Sequence, residues 1–299
     1  MSILFTFPVN FAKFSIVIPT YNCLKLLKQS LESVFLQSVQ NFEILVVDNS
    51  STDGTLSYLD SLYDARLRVF KVYNKGVIAI SRNIGIKNSV GEWICFLDAD
   101  DVWYHDKLEV CSEYMNDNVD IIHHNLKIYG KVDFIGRKVL YGRKLTHPAL
   151  IDLLINGNGI LNSSVIVRRS IVKKIGFINE SLEIAACEDY HTWLKVANIT
   201  EQFCYIDRVL GEYYKGDNNT SNQDMSIRSH YATSEFINKL TTRQLTRYRA
   251  VIDYTHARYL YSCGNYKDAR LYFGKVLYQS TLKLRIKSIY MLILLLIHY

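Results

Sequence analysis

Apolar residues in the first third of the chain fall into short runs that are separated by longer amphipathic stretches. Four runs have the length and side-chain types of strands: residues 13–19, 42–48, 68–72 and 93–97. Helices are predicted between them, at residues 24–36, 55–62 and 78–88. Strands that alternate with helices predict an α/β fold, with a mostly parallel sheet covered by helices on both faces.

The pattern is less regular after this point. Further helices are predicted at residues 102–119, 150–155 and 171–177 and from residue 187, and further strands at residues 120–126, 160–167, 203–206 and 210–214. A polar, hairpin-like stretch covers residues 130–136. From residue 234 the chain is helical, and residues 257–273 predict a helical hairpin of the tetratricopeptide type, with Ala257 and Ala269 allowing close packing.

The fourth predicted strand ends in three carboxylates, those of Asp98, Asp100 and Asp101. Ionised carboxylates are costly to bury without a partner, so this end of the strand is expected to open into a cleft. Asp98 and Asp100 point the same way in an extended segment, which suits a divalent cation such as Mg²⁺. Taken alone, the segment equally suits an acidic helix N-terminus capped by Asp101.

Polar residues also follow the first two strands. Thr20 and Tyr21 come after the first strand, and Asp48 ends the second. Ligands of open parallel sheets bind outside the carboxyl ends of the strands. These residues are therefore expected to share one rim with Asp98 and Asp100. The alternative for Asp48 is a turn former or helix cap.

Charge is distributed unevenly along a chain whose net charge is +6. Residues 241–299 hold ten Lys or Arg and two Asp or Glu, whereas the preceding 240 residues hold 25 and 27. This shift predicts a boundary near residue 235, between a domain of residues 1–235 and a basic helical extension of residues 236–299. No nucleic-acid partner is predicted.

Cysteine spacing and hydropathy indicate the compartment. The six cysteines lie far apart without a C-x-x-C pair, which predicts reduced cytoplasmic thiols. No apolar run is long enough to span a bilayer, and residues 1–12 lack the basic region of a secretory signal. Residues 283–299 are basic and then apolar, which suits peripheral contact with the inner face of the cytoplasmic membrane. Packing as a last core helix is the equal alternative.

Seven short blocks occur in an order and spacing that is typical of one enzyme family: residues 15–22, 43–48, 51–55, 74–76, 81–85, 91–101 and 188–189. On these blocks, residues 14–215 resemble the family 2 (GT2) inverting glycosyltransferases. The resemblance implies a GT-A (Rossmann-like) fold, a mostly parallel sheet flanked by helices with a C-terminal helical extension. It also implies a nucleotide-sugar half at about residues 13–119 and an acceptor half at about residues 120–235.

The resemblance assigns roles on the donor side. It implies donor binding by Pro19, Thr20, Tyr21, Asp48, Lys75, Arg82 and Asp98. Asp100 and Asp98, the Asp-x-Asp motif, would bind a Mn²⁺ or Mg²⁺ ion that bridges the two phosphates of the donor and stabilises the leaving group. Lys75 and Arg82 equally fit the description of solvated surface charges.

Asp189 resembles the catalytic base of the family, and Glu188 beside it would act on the acceptor side. A sugar hydroxyl is a poor nucleophile until a carboxylate takes its proton, and such catalysis contributes about 10²–10⁴-fold to the rate. The alternative is an acidic pair that stabilises the start of a helix.

Two positions depart from the family pattern. Asn49 stands where many members have a second Asp, which is expected to alter only how the loop is held. The segment that follows residue 212, with the sequence YYKGDN, lacks the His that helps many members to ligate the metal. Asp217 or a water could replace that His, or Lys215 could bind phosphate.

The predicted function is transfer of a sugar from a nucleotide diphosphate sugar, with UDP as the expected nucleotide, to a lipid-linked or cell-surface glycan. One rival is a nucleotidyltransferase, which would need a glycine-rich loop after the first strand, whereas this loop has the sequence PTYN. The other is a non-catalytic scaffold that binds a partner through the helical tail.

Overall fold

The structure is a computed structural model that describes residues 13–131, 138–216 and 224–296. Residues 1–12, most of the predicted hairpin-like stretch and Asp217 lie outside the described residues. The chain divides into two compact units. The first consists of Met1–Lys144, Ile160–Glu180 and Gln202–Gly216, and the second of Leu145–Gly159, Ser181–Glu201 and Asp217–Tyr299.

Nine strands of the described residues form one sheet, which lies in the first unit. They are β1 (Phe14–Thr20), β2 (Phe42–Asp48), β3 (Leu67–Lys71), β4 (Trp93–Phe96), β5 (Val102–Trp103), β6 (Ile121–Gly130), β7 (Val139–Leu140), β8 (Ile166–Arg168) and β9 (Phe203–Lys215). The order is β3-β2-β1-β4-β8-β6-β9-β5, with β7 beside β6. Strands β1 to β4 pair in parallel, and β8 is antiparallel to both of its neighbours.

Eleven α-helices are described. They are α1 (Leu24–Phe35), α2 (Thr55–Asp60), α3 (Ile78–Asn88), α4 (Lys107–Glu113), α5 (Ala149–Asn156), α6 (Arg169–Lys174), α7 (Glu188–Ala197), α8 (Met225–Thr233), α9 (Thr242–Ser262), α10 (Tyr266–Gln279) and α11 (Leu282–Leu294). The expected α/β fold, a sheet flanked by helices, is confirmed.

The core of the first unit forms around β1 and β2, which are buried at every position. Their apolar side chains pack with those of α1, β4 and α4. Helix α3 approaches β1 closely at Gly85, where an added Cβ would lie 2.6 Å from Cγ1 of Val17. Since only glycine permits this contact, Gly85 fixes the position of the helix that carries Arg82.

The helix predicted over residues 102–119 is wrong in its first and last parts, because α4 covers only Lys107–Glu113. Val102 and Trp103 form β5, which pairs with Glu212 and Gly211 of β9, and α4 begins only at Lys107. An added Cβ at Gly211 would lie 2.6 Å from the carbonyl oxygen of Val102, so glycine allows the two strands to meet. This long-range pairing overrides the local helical pattern.

Two strand predictions also differ from the structure. The predicted strand over residues 160–167 is a 3₁₀ turn at Asn162–Ser164 followed by β8. The strands predicted at residues 203–206 and 210–214 are one continuous strand, β9, which pairs with β6 through shifts in register.

The second unit contains the predicted helical hairpin, formed by α9 and α10. Ala257 and Ala269 are completely buried and pack with Phe273. Thr241 forms a capping box at the start of α9, and the Asn265 side chain caps α10. Within the described residues, none of the helices combines the length and hydropathy needed to cross a membrane.

Residues 145–159 and 181–201 belong to the same compact unit as the helices that follow residue 217. The sequence predicts both segments within the domain of residues 1–235. The division into that domain and an extension of residues 236–299 stays a prediction.

Candidate active site

Three neighbouring strands of the first unit end at the same edge of the sheet. Thr20 at the end of β1 lies opposite Asp48 at the end of β2. On the other side of β1, the amide of Leu97 donates to the carbonyl of Val17, so the chain still runs beside β1 as it reaches Asp98. The sheet therefore brings Thr20, Asp48 and Asp98 to one rim, as the alternation of strands and helices predicts.

Asp48 is completely buried at this rim. Its Oδ2 accepts a hydrogen bond of 2.9 Å from the amide of Ser51, so it does shape the following turn. Its Oδ1, and Oγ1 of the buried Thr20, have no hydrogen-bond partner among the described residues. Buried polar groups are normally paired, so two adjacent unpaired groups indicate a ligand that would complete them.

The loops after β1 and β2 are tied together by hydrogen bonds. Oδ1 of Asn22 accepts from the amide of Thr52 at 2.8 Å, and Oδ2 of Asp53 accepts from the amide of Leu24 at 2.9 Å. Pro19 is buried within β1, whereas the ring of Tyr21 projects into solvent. These contacts hold the backbone around Tyr21 at the rim.

Asn49, one of the two departures from the family pattern, holds the next loop. Its Oδ1 accepts a 2.8 Å hydrogen bond from the amide of Asn74. Asn74 in turn bonds to Gly76 and Ser81, which shapes the turn around the exposed Lys75. A carboxylate oxygen would accept equally well at this position, so the change to Asn preserves the contact.

Arg82 of α3 is buried, and its Nη2 donates to Oδ1 of Asp98 at 2.7 Å. The expectation that it equally fits a solvated surface charge is therefore wrong for this residue. The close approach of α3 to β1 brings the guanidinium to the rim. Its proposed contact with the donor stays a prediction.

The 3₁₀ turn before β8 supplies two positioning residues that the sequence did not reveal. Nδ2 of Asn162 donates to Oδ1 of Asp98 at 3.1 Å, and Oγ of Ser163 accepts from the amide of Asp98 at 3.1 Å. Neither residue lies in a recognisable motif. The unusual Asn-Ser-Ser run within an apolar segment is the only signal that could have drawn attention to them.

The backbone of Asp100 and the carboxylate of Asp101 are held by β6 and β9. The hydroxyl of Tyr129 donates to the carbonyl oxygen of Asp100. Asp101 is buried, and its Oδ1 accepts from the amide of Tyr214 at 2.8 Å. The turn is thus fixed at both of its ends by distant parts of the chain.

Burial and mutual repulsion govern the ionisation of this turn. Burial, followed by the charge of Asp98, raises the pKa of Asp100 to about 6. The same causes raise the pKa of Asp101 well above its usual value. Arg82 supplies one positive charge against the three carboxylates. Because the raised pKa of Asp101 favours its neutral form, Asp98 and Asp100 are the carboxylates that a divalent cation would meet beside Arg82.

Asp98 and Asp100 can supply two carboxylates to such a cation. Among the described residues, no group of three or more His, Cys, Asp or Glu side chains could hold a metal ion. Two carboxylates suffice for Mg²⁺, which usually keeps water ligands and binds substrate phosphates. The residues present fit the metal that the Asp-x-Asp motif predicts.

Asp189 and Glu188 begin helix α7 in the second unit. Asp189 is half-buried; its Oδ1 accepts from the amide of Tyr190 at 2.6 Å and its Oδ2 from Nδ2 of Asn158 at 3.3 Å. Glu188 is buried. Negative charge in the first turn stabilises a helix, so this role coexists with any catalytic one. Asp189 also lines a cavity of about 270 Å³.

Comparison with known proteins identifies relatives of the chain. The sequence model of glycosyl transferase family 2 matches residues 15–176. An uncharacterised glycosyltransferase of Rickettsia felis is 34% identical over 194 residues, which are 62% of this chain and 30% of that protein. The chain thus spans less than a third of the length of this relative.

Another relative is WfgD of Escherichia coli, which is named a UDP-Glc:α-D-GlcNAc-diphosphoundecaprenol β-1,3-glucosyltransferase. It is 30% identical over 184 residues, which are 61% of this chain and 68% of WfgD. WfaP of E. coli, which has the same activity in its name, is 31% identical over 184 residues, covering 61% of this chain and 69% of WfaP.

Solved structures share the fold. S. aureus TarS (residues 1–349) in complex with UDP-GlcNAc matches with a TM-score of 0.64 and 20% identity, over 91% of this chain and 82% of that one. The mannosyltransferase PcManGT of Pyrobaculum calidifontis, in complex with GDP-Man and Mn²⁺, matches with a TM-score of 0.63 and 17% identity, over 95% and 80% of the two chains.

The raised pKa of Asp100 predicts a pH-dependent cost in stability. The folded pKa of about 6 lies above the ordinary value of 3.8, so the folded state holds the proton more tightly and loses stability as the pH rises from about 4 to 6. In EDTA near pH 8, Asp100→Asn should raise the free energy of unfolding by about 1–3 kcal/mol. The gain should vanish below about pH 4.

Urea unfolding at a series of pH values measures this effect. Asp60→Asn, which removes an exposed carboxylate from α2, is the control and should change stability by less than about 0.5 kcal/mol. A gain for Asp100→Asn that does not depend on pH would contradict the prediction.

Proposed function

The chain belongs to glycosyl transferase family 2, and on that premise we propose that it transfers a sugar from a UDP-sugar to a hydroxyl of a glycan acceptor. The acceptor is lipid-linked or part of a cell-surface polysaccharide of the lipopolysaccharide, O-antigen or capsule type. The reaction inverts the anomeric centre, so an α-linked donor gives a β-linked product.

The unpaired polar groups at the rim are the main support for a nucleotide-sugar site at this edge of the sheet. Oδ1 of Asp48 is buried without a partner among the described residues, beside the unpaired hydroxyl of Thr20. A carboxylate oxygen at this position accepts from a base N–H or a ribose hydroxyl. Pro19 and Tyr21 complete the nucleotide side, and Lys75 and Arg82 lie on the loop and helix that follow β3.

Asp98 and Asp100 are proposed to hold Mn²⁺ or Mg²⁺. When bound, the metal neutralises the diphosphate and makes it a better leaving group. Arg82, Asn162 and Ser163 fix the orientation of Asp98 before any ligand binds. The PcManGT complex contains Mn²⁺, which supports a divalent metal in this fold.

The names of the relatives support the choice of UDP. WfgD and WfaP are named for UDP-glucose, and the TarS complex contains UDP-GlcNAc. The PcManGT complex, whose likeness to this chain is one of fold, contains GDP-mannose. A lipid-linked acceptor is supported in the same way, since the WfgD and WfaP names specify GlcNAc-diphosphoundecaprenol.

Asp189 is proposed as the catalytic base. Its carboxylate accepts the proton of the attacking hydroxyl as the new bond forms at the anomeric carbon. The amide of Tyr190 and the side chain of Asn158 hold the carboxylate in place. Glu188, the neighbouring residue, is assigned to the acceptor side.

Both rival functions are less well supported. A nucleotidyltransferase lacks support because the loop after β1 contains no glycine to cradle phosphates. A non-catalytic scaffold would not need a buried Asp48 with an unpaired oxygen, or an acidic turn held from three sides.

A donor screen tests the proposed function. Thermal shift with Mn²⁺ and a panel of UDP-, GDP- and dTDP-sugars should reveal binding of a UDP-sugar. Asp100→Ala, or EDTA added to the wild type, should weaken that binding at least about tenfold, because the diphosphate loses its counter-charge. Asp60→Ala, on the exposed face of α2, is the control.

Two results of the screen would contradict the proposal. Binding that is insensitive to both Asp100→Ala and EDTA would overturn the metal assignment. A folded protein that binds no sugar nucleotide and releases no UDP would overturn the enzyme assignment.

The role of Asp189 generates a separate prediction. Asp189→Asn should lower transfer by about 10²–10⁴-fold, because the amide cannot accept the proton. Donor affinity, measured by thermal shift, should stay nearly unchanged. Glu183→Gln, which changes an exposed carboxylate before α7, should transfer normally. A fully active Asp189→Asn enzyme would refute the base assignment.

The proposed location is the cytoplasm, with peripheral contact on the inner face of the cytoplasmic membrane. Apolar residues of α11 recur at the spacing of one helix face and are exposed: Leu282, Ile286, Ile289 and Ile293. Ser288 and Met291, on another face, are buried. Lys283 and Arg285 provide positive charge close to the exposed face, and no acidic residue occurs in α11.

The exposed face of α11 should bind anionic vesicles. Ile286→Ser with Ile293→Ser, which replaces side chains that are 59% and 54% exposed, should abolish co-sedimentation with phosphatidylglycerol-containing vesicles. Ile227→Ser is the matched control, since Ile227 is 58% exposed on α8. Equal binding by the double variant and the wild type would refute the contact, as would vesicle-independent dimerisation through the same face.

A further inference from the structure

The cavity beside Asp189 lies entirely within the second unit. Its walls come from the end of α5 and the loop after it, from the residues around the start of α7, and from α8 and α9. Helix α9, which belongs to the C-terminal region, contributes four of the lining residues: Tyr248, Val251, Ile252 and Thr255. The C-terminal region thus shares a cavity with the residue that is proposed as the base.

The wall of the cavity is polar but almost uncharged. Asp189 is the one acidic residue among the twelve lining residues, and none of the twelve is Lys, Arg or His. Burial raises the pKa of the Cys187 thiol to about 12, so this group is neutral. A phosphate or diphosphate is recognised by cations, and none of the described lining residues is one. Arg228, which lies near Cys187, donates to the carbonyl of Ala185 at 2.7 Å. The cavity therefore suits a neutral ligand.

Polar groups and apolar side chains share the wall. The hydroxyl of Tyr248 is fixed by Thr233 at 2.7 Å and by Nδ1 of His230 at 3.0 Å. Oγ1 of Thr255 donates to the carbonyl of Val251 at 3.0 Å and keeps the capacity to accept. Val251 and Ile252 add apolar surface. A sugar ring combines hydroxyl groups at its edge with an apolar face, and this wall offers partners to both.

Two loops of the wall are held in conformations that few residues adopt. Gly157 has a φ of +78°, and an added Cβ would lie 3.4 Å from Cγ1 of Val251. Ala186 has a φ of +65°, in the left-handed region that a side chain disfavours. Such strain persists where the surrounding structure requires it and clusters at ligand sites. The positions of these loops beside Asp189 thus agree with a binding role.

The size of the cavity limits its occupant. Its volume of about 270 Å³ lies just below the range of about 300–1,000 Å³ that is typical of sites for small molecules. A single sugar ring is therefore a suitable occupant, and an oligosaccharide is not.

We propose that this cavity binds the neutral sugar ring that bears the attacking hydroxyl of the acceptor, and that α9 forms its specificity-determining wall. The proposal rests on the proposed function, in which Asp189 is the base. It adds the substrate class of the cavity and assigns the diphosphate of a lipid-linked acceptor to another surface.

Saturation-transfer NMR on the intact 299-residue chain tests the proposal without a donor. The probes are free glucose, N-acetylglucosamine, galactose and mannose, each with and without inorganic pyrophosphate. The wild type should transfer saturation to at least one sugar, and pyrophosphate should not compete. Ile252→Trp, which fills the cavity, should lower that signal at least about tenfold. Arg258→Trp, which places the same ring on the exposed side of α9, should leave it within about twofold.

Thr255→Val serves as a second variant, because it removes one hydroxyl and almost conserves volume. It should weaken sugar binding without lowering the unfolding midpoint, and it keeps the proposal testable if Ile252→Trp fails to fold. Three results would overturn the proposal: no saturation of any sugar, competition by pyrophosphate, or equal signals from the wild type and both cavity variants.

Donor binding is measured on separate samples, so the two proposals fail independently. A wild type that binds a free sugar but no nucleotide sugar would refute the proposed function and leave the cavity as a sugar site. A wild type that binds a UDP-sugar in the metal-dependent manner, but none of the four free sugars, would refute the cavity proposal alone.

Discussion

The unit that contains the sheet has to hold three carboxylates close together and largely out of water at the end of β4. This constraint accounts for the contacts around the acidic turn. Arg82 reaches Asp98 from α3, and Asn162 and Ser163 reach it from the turn before β8. The amide of Tyr214 binds Asp101, and the hydroxyl of Tyr129 binds the backbone of Asp100. Five distant residues therefore serve one four-residue turn.

These contacts fix the position of the acidic turn but do not fully compensate its negative charge. Arg82 supplies one positive charge, and the pKa of Asp100 still rises to about 6 because burial and Asp98 disfavour its ionised form. A protein under selection for stability alone would replace such a group. Such a cost is typical of a preorganised site, and the divalent cation proposed for Asp98 and Asp100 would supply the missing positive charge. In the same way, the unpaired oxygen of Asp48 could accept a hydrogen bond from a ligand.

The second unit contains a cavity whose lining differs from the acidic turn of the first unit. Its cavity is lined by helices and by two loops with positive φ, and Asp189 is the one acidic residue among the described residues that line it. The cluster of carboxylates thus lies in one unit, and a cavity with an almost uncharged lining lies in the other. This division matches the two chemical halves of a glycosyl transfer, in which a diphosphate leaves and a sugar hydroxyl attacks.

The sequence by itself determined the α/β fold, most of the strands and helices up to α3, and the rim residues Thr20, Asp48 and Asp98. These follow from periodicity and from the rule that parallel strands place their carboxyl ends on one edge, so local pattern is enough. Only the tertiary structure decided that Val102 and Trp103 form a strand, that Arg82 is buried against Asp98, and that α9 lines the cavity beside Asp189. Each depends on contacts between residues far apart in the chain, such as the approach of α3 to β1 at Gly85. No local pattern encodes those contacts, because they arise when separate elements pack together.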